Sequence, residues 1–123
     1  MDKKILIAED SSVIQNLTKK ILEQQGFGIA TVKNGKQVID KISDEHFDLI
    51  FMDINMPEMD GMECTRQIRS MKDINANIPI IAITGNAMNY SRDDFESTGI
   101  TEVLQKPLDF DNLVELAIKF TSD

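Results

Sequence analysis

Short apolar runs alternate with segments of helical spacing along this chain, and that alternation limits its fold more than any other feature. Ile5–Ala8, Leu49–Met52 and Ile80–Ile83 are almost wholly apolar. A strand with one face in water would alternate polar and apolar residues, whereas an unbroken run suits a parallel strand covered on both faces. Phe27–Val32 is weaker and contains Gly28, so it is expected at a sheet edge, and Thr101–Gln105 is a further strand of lower apolar content. Between the runs, Val13, Leu17, Ile21 and Leu22 make a helical stripe that closes at Gly26, a residue suited to a helix C-terminus. Val38, Ile39 and Ile42 make a second stripe, Cys64, Ile68 and Met71 a third, and Leu113, Leu116, Ala117 and Phe120 the last. From Asn86 to Ser97 the stripe is poor, with Ala87, Met88, Tyr90 and Phe95 set among polar residues. That helix is expected to be the least firmly anchored.

Strands alternating with helices predict an α/β protein with a parallel sheet and right-handed crossovers. Five such units most often form a three-layer, doubly wound, flavodoxin-like fold of strand order 2-1-3-4-5. The length of 123 residues fits a single domain spanning 1–123, with no repeat or linker. The net charge of −8, from 21 acids against 13 bases, argues against direct nucleic-acid binding, which needs a basic patch. Cys64 is the only cysteine, so no internal disulfide forms and a reducing compartment is expected. No apolar stretch approaches the roughly 20 residues of a membrane helix. Met1-Asp2-Lys3-Lys4 leads into only a short apolar run before Glu9, unlike a signal peptide. The expectation is a cytoplasmic protein without membrane insertion.

In sheets of this kind the ligand sits at the carboxyl ends of the strands, near the point where the strand order reverses. Strand 1 ends in Glu9-Asp10, strand 3 in Asp53, strand 4 in Thr84 and strand 5 in Lys106-Pro107, so these side chains should converge on one rim. Clustered carboxylates repel one another, and a divalent cation relieves the repulsion. Mg²⁺ prefers hard oxygen ligands and is commonly held by one or two carboxylates plus phosphate oxygens; Mn²⁺ would serve as a substitute. A cation and Lys106 beside a nucleophilic carboxylate supply what phosphoryl transfer requires, namely positioning and charge neutralisation. Asp53 is the central carboxylate and the natural nucleophile. Lys106 can pair with a phosphoryl oxygen as a point charge, and the Thr84 hydroxyl can donate to another.

The sequence resembles the receiver domain of two-component response regulators over essentially its whole length. The matching segments are Ile5-Leu6-Ile7-Ala8-Glu9-Asp10 with Ser11, Asp48-Leu49-Ile50-Phe51-Met52-Asp53 followed by Ile54-Asn55-Met56-Pro57, Met59-Asp60-Gly61-Met62-Glu63, Pro79-Ile80-Ile81-Ala82-Ile83-Thr84, and Lys106-Pro107-Leu108. One such segment is weak; all of them in order are specific. The resemblance implies that Asp53 is the phosphoacceptor, that Glu9, Asp10, Asp53 and the main-chain carbonyl of Asn55 ligate Mg²⁺, that Thr84 is a switch hydroxyl and Lys106 the family lysine, often before a cis peptide bond. The implied donor is a histidine kinase or a histidine phosphotransfer protein, and the implied output a change of the α4-β5-α5 surface toward an unnamed protein target. A phosphorylation-dependent homodimer fits the same scheme. The chain would act on itself, in phosphorylation and dephosphorylation, and not as an enzyme on other substrates.

One departure from the family pattern and two further features stand out. Many receivers carry Tyr or Phe three residues before the lysine; here Val103 stands there and cannot swing as a ring can. Asn55 and Asn86 occupy positions that tune phosphoryl lifetime. Ile83-Thr84-Gly85-Asn86-Ala87-Met88 resembles receiver modules of hybrid histidine kinases, which leaves open a module of a larger protein or a free-standing regulator.

Structural explanations compete at each position. Asp10-Ser11-Ser12 could simply cap a helix, Asp53 start a turn, Thr84 with Gly85-Asn86 form a turn and cap, and Lys106 be a surface residue; four strand ends each supplying a matching group weigh against that. His46 reads as a solvated loop residue, Cys64 as core, Met52, Met56, Met59 and Met62 as packing around the Asp53 loop, and Asp93, Asp94 and Glu96 as a solvated helix face. Three rival functions remain. A haloacid-dehalogenase-type phosphatase wants a second Asp where Asn55 stands. A flavin or dinucleotide module wants a Gly-rich loop where Glu9-Asp10-Ser11-Ser12 stands. A degenerate receiver serving only for docking would not need the full acid pocket.

Overall fold

A computed structural model describes residues 3–85 and 90–122. Within them the elements run β1 (Lys4–Ala8), α1 (Ser12–Gln24), β2 (Gly28–Val32), α2 (Gly35–Asp44), β3 (Leu49–Asp53), α3 (Gly61–Arg69), β4 (Ile80–Thr84), α4 (Arg92–Thr98), β5 (Glu102–Gln105) and α5 (Phe110–Thr121). A short 3₁₀ turn, Ile74–Asn77, precedes β4. The strands form one parallel sheet of order β2-β1-β3-β4-β5, which is the predicted order. Asn86, Ala87 and Met88, on which part of the helix-4 and hybrid-module expectations rest, lie outside the described residues.

The unbroken apolar runs are explained by burial on both faces. In β1, Ile5 and Ile7 pack with Leu22 of α1 and Leu113 and Ala117 of α5, while Leu6 and Ala8 pack on the opposite layer with Val38, Ile42, Cys64 and Ile68 of α2 and α3. β3 and β4 divide in the same way: Leu49, Phe51, Ile81 and Ile83 face α1 and α5, and Ile50, Met52, Ile80 and Ala82 face the other side. Each fully buried Leu, Ile or Phe contributes about 1.5–3 kcal/mol, so these strands form a core that cannot slip register without exposing it. No helix among the described residues is long and apolar enough to cross a membrane.

The structure corrects one stripe. Leu22 of α1 is buried, but Val13 is 78% and Leu17 46% exposed, and the inward residues are Gln15, Thr18 and Leu22. Polar residues can line this face because they are satisfied locally. The Gln15 amide donates to the carbonyls of Glu9 (3.1 Å) and Val32 (2.9 Å), and the Thr18 hydroxyl donates to Ile14 O. Periodicity alone selected the wrong edge of the helix.

Among the described residues each α-helix follows the carboxyl end of a strand, and its N-cap is a side-chain oxygen that accepts backbone N–H groups: Ser11, Asn34, Asp60, Ser91 and Asp109. α4 has only seven residues and buries just Phe95 and Thr98. Its far end is tied down. Gly99 adopts φ 104° there, and its carbonyl accepts the Arg69 Nε–H at 2.9 Å, while the same guanidinium donates to the carbonyls of Ala76 (2.9 Å) and Ile78 (2.7 Å). A Cβ at Gly99 would stand 2.7 Å from Arg69 Cγ, so glycine is needed for space as well as for its positive φ.

Candidate functional site

The carboxyl ends of β1, β3, β4 and β5 carry Glu9-Asp10, Asp53, Thr84 and Lys106. Parallel pairing sets their level: Ala8 is opposite Met52, Asp53 opposite Ile83, and Thr84 opposite Gln105. Glu9, Asp10 and Asp53 each offer a carboxylate oxygen within 4.8 Å of the others. Lys106 Nζ reaches into the group, 3.2 Å from Asp53 Oδ2 and 3.4 Å from Glu9 Oε1. Glu9, Asp53 and Thr84 are almost fully buried, while Asp10 and Asn55 are exposed. The Lys106–Pro107 peptide is cis.

The backbone holds these groups in place. Asp53 Oδ1 accepts the Asn55 N–H at 3.0 Å, and Glu9 Oε2 accepts the Ser11 N–H at 3.0 Å. Ile54 N–H donates to Ile83 O, and Gly61 N–H closes the loop onto Ile54 O at 3.0 Å. Thr84 O accepts the Lys106 N–H at 2.9 Å, which couples the ends of β4 and β5. Two contributors escaped the sequence, and a third was marked only by a matched segment. Gln15 orients the Glu9 carbonyl, but glutamine on a helix face carries no such signal. Glu58 adopts φ 66° in the loop after β3, a left-handed conformation that nothing in a Pro-Glu-Met string announces. Gly61 lies directly behind Asp53, and only its position in the matched Met59-Asp60-Gly61 segment marked it.

A Cβ at Gly61 would stand 2.6 Å from Asp53 O and 2.9 Å from Ile54 Cα. Both are backbone atoms that cannot step aside. Overpacking of this kind costs about 1–3 kcal/mol, and alanine's better helix propensity returns at most about 1 kcal/mol. Gly61→Ala is therefore expected to lower stability by about 1 kcal/mol net, read as a lower urea midpoint at unchanged m-value. A midpoint equal to wild type would mean the loop yields freely.

Electrostatically the cluster is frustrated without a cation. Burial, and then the adjoining Asp53 carboxyl, pushes the Glu9 carboxyl up to about 7. Burial pulls the Lys106 ammonium down, but the Asp53 and Glu9 carboxylates outweigh it and leave it above its ordinary value. Glu9 Oε1 is buried and accepts no hydrogen bond. A buried oxygen that has the Lys106 ammonium at 3.4 Å but no hydrogen bond, beside two further carboxylates, fits a divalent cation with hard-oxygen preference, and Glu9, Asp10 and Asp53 are the side chains that could hold it. Folding raises the Glu9 pKa, so the metal-free protein gains stability from this group below the ordinary carboxylate value and loses it as the pH rises through about 7. A cation takes the ionised form. Mg²⁺ affinity is therefore expected to weaken below about pH 7 with a proton released on binding, and Glu9→Gln should flatten that dependence. Calorimetric titrations at two pH values in buffers of different ionisation enthalpy measure it; equal affinity and no proton release at about pH 6 would contradict the assignment.

The other polar residues stay apart from this cluster. His46 is exposed and sits 3.2 Å from Asp48. Cys64 is buried, its Sγ 3.4 Å from Gly35 O, and burial pushes its thiol up to about 12, which makes it unreactive. Met52, Met56 and Met62 are buried in the core layer facing α2 and α3, and Met59 packs against it.

A sequence model of the response regulator receiver domain matches residues 5–118. Among curated relatives, the chain is 33% identical to a probable histidine kinase 1 of Oryza sativa subsp. indica over 91% of its own length, and 38% identical to the sensor protein EvgS of Escherichia coli K12 over 89%. It spans only 15% and 9% of those two proteins. Among solved structures it is similar to the receiver domain of a Pseudomonas aeruginosa sensor histidine kinase with a magnesium ion coordinated in the active-site cleft (TM-score 0.89, 28% identity, all of both chains). It is similar also to a chemotaxis response regulator of Vibrio cholerae (TM-score 0.89, 26% identity, 98% of this chain and 99% of the other).

Proposed function

The chain belongs to the response regulator receiver domain family, and from that premise we propose that residues 1–123 work as one receiver domain that accepts a phosphoryl group on Asp53 with Mg²⁺ bound beside it. The observation that carries the proposal is the approach of the Glu9, Asp10 and Asp53 carboxylates to within 4.8 Å, with Lys106 Nζ 3.2 Å from Asp53 Oδ2. The donor we propose is a phosphohistidine of a histidine kinase or a histidine phosphotransfer protein; the curated relatives named above include histidine kinases.

An Asp53 carboxylate oxygen attacks the phosphorus, an O–P bond forms, the P–N bond breaks, and its electron pair returns to the imidazole nitrogen. Asn55 N–H on Oδ1 fixes the plane of the nucleophile. Lys106 leaves its pairing with Asp53 to follow charge onto a phosphoryl oxygen, and the Thr84 hydroxyl stands at the end of the adjoining strand to donate to another. Glu9, Asp10, Asp53 and the Asn55 carbonyl would hold Mg²⁺, which when bound would neutralise charge on the phosphoryl oxygens; Mn²⁺ is the substitute we propose. Water attack on the acyl phosphate restores the carboxylate, so the chain turns over only its own phosphoryl group. Phosphorylation adds about −1.5 to −2 charges, and the readout we propose is a shifted α4-β5-α5 surface offered to a protein partner.

Intact-protein mass after incubation with acetyl phosphate, with and without Mg²⁺, tests this. One added phosphoryl group that requires Mg²⁺ is the expected result. Absence of both this adduct and beryllofluoride binding would overturn it.

A further inference from the structure

The chain holds a single tyrosine, Tyr90, and no tryptophan. Tyr90 immediately precedes Ser91, the N-cap of α4, and lies six residues beyond Thr84. Its half-buried ring packs on the core layer under α2 and α3 and meets the Phe95 ring at 5.6 Å, tilted by 54°. It has a hollow on each side. Toward β5 lies a groove of about 530 Å³ whose walls include Phe95, Ile100 and Val103. Toward α3 lies a hollow of about 350 Å³ whose walls include Met62, Arg66 and Thr98. Val103 packs on the same core layer, and its short side chain leaves the groove beside it open. Side-chain torsions occupy discrete staggered wells, so a ring placed between two hollows has separate positions and no continuous drift.

We infer that Tyr90 is a two-position switch in this chain, and that its ring enters the groove beside Val103 when Asp53 is phosphorylated. The inference rests on Asp53 being the phosphoacceptor. The two ends of α4 are held differently. The Arg69 guanidinium clamps Gly99 at the C-terminal end to the start of β4. Among the described residues the N-terminal end carries its own capping box, in which Ser91 and Asp94 exchange hydrogen bonds. A seven-residue helix with two buried side chains moves at low cost, and it pivots about the clamped end. Thr84 and Tyr90 bracket the connection between β4 and α4, so displacement of Thr84 toward a phosphoryl oxygen acts on the end of α4 away from the Arg69 clamp, where Tyr90 sits. Arg92, Glu96, Glu102 and Gln105 rim the groove, which therefore offers an apolar bed for the ring and polar groups for the phenol oxygen.

Tyrosine emission reports this one ring without any engineered probe. Beryllofluoride with Mg²⁺ is the trigger, its binding is followed by fluorine NMR, and acrylamide quenching measures exposure. The expected result is a fall of about twofold in the quenching constant, as for a half-exposed ring that becomes buried. In Val103→Phe a ring already fills the groove, so beryllofluoride should still bind and the quenching change should vanish. Beryllofluoride bound with unchanged quenching would overturn the inference and leave the phosphoacceptor standing. An undiminished change in Val103→Phe would overturn the groove as the destination. No beryllofluoride binding at all would overturn both the inference and the proposed function.

Discussion

Asp53→Asn should abolish the phosphoryl adduct outright. Asparagine keeps the size of aspartate and an Oδ1 acceptor for the Asn55 N–H, which the structure places at 3.0 Å, so the loop after β3 has no reason to move. What disappears is the charge. An amide oxygen is a poor nucleophile, because its lone pairs are drawn into the amide π-system and carry no net negative charge. One of three carboxylates around the cation position is lost as well, so Mg²⁺ affinity should fall at least about tenfold. The check is intact mass after acetyl phosphate with saturating Mg²⁺, alongside circular dichroism to show that the fold persists. A full adduct on the variant would move the nucleophile to another residue.

Lys106→Ala is expected to slow phosphoryl uptake by about 10²–10³-fold, the usual cost of removing one group that meets developing charge. The same substitution should tighten Mg²⁺ binding. In the cation-free protein Lys106 is the counter-charge for Asp53 and Glu9, at 3.2 and 3.4 Å, and an incoming divalent cation must share those oxygens with it. Removing the ammonium removes the competitor. The pairing is partly open to water, with the Lys106 side chain 28% exposed, so screening limits the gain. Rates of adduct formation and calorimetric Mg²⁺ titration separate the two effects. Uptake at the wild-type rate would reduce Lys106 to a counter-ion with no part in the transfer.

These residues were visible in the sequence because each closes an apolar run, and a parallel sheet converts the ends of separate runs into one rim. Leu49–Met52 marked β3, and the strand ends at Asp53, where the sequence places its end. The edge position of β2 was legible in its Gly28 and lower apolar content. What the sequence hid depends on contacts between distant segments. α1 turns Gln15 and Thr18 inward, and hydrophobic spacing had chosen Val13 and Leu17, because a glutamine amide that satisfies two carbonyls is as well buried as a leucine. Arg69 looks like an ordinary charge at a helix end, yet it gathers carbonyls from three other places in the chain. The 3₁₀ turn at Ile74–Asn77 had no apolar stripe to reveal it, and Ile74 is 70% exposed. Val103 was seen as a departure, but the groove beside it exists only once α4 is laid against β5.

The five N-caps along the carboxyl rim have a kinetic consequence. Each presents the positive end of a helix toward the side of the molecule where the acids gather, and such fields act within about the first turn of the helix. At longer range the chain is an anion of charge −8, and a small anionic phosphodonor feels that repulsion first. Salt screens it with a Debye length of about 8 Å at physiological ionic strength. A free anion is expected to meet this repulsion in full, whereas a donor carried on a protein surface with complementary charge arrives with part of it cancelled. Discrimination between donors can then begin before any contact with Asp53, in the encounter rate.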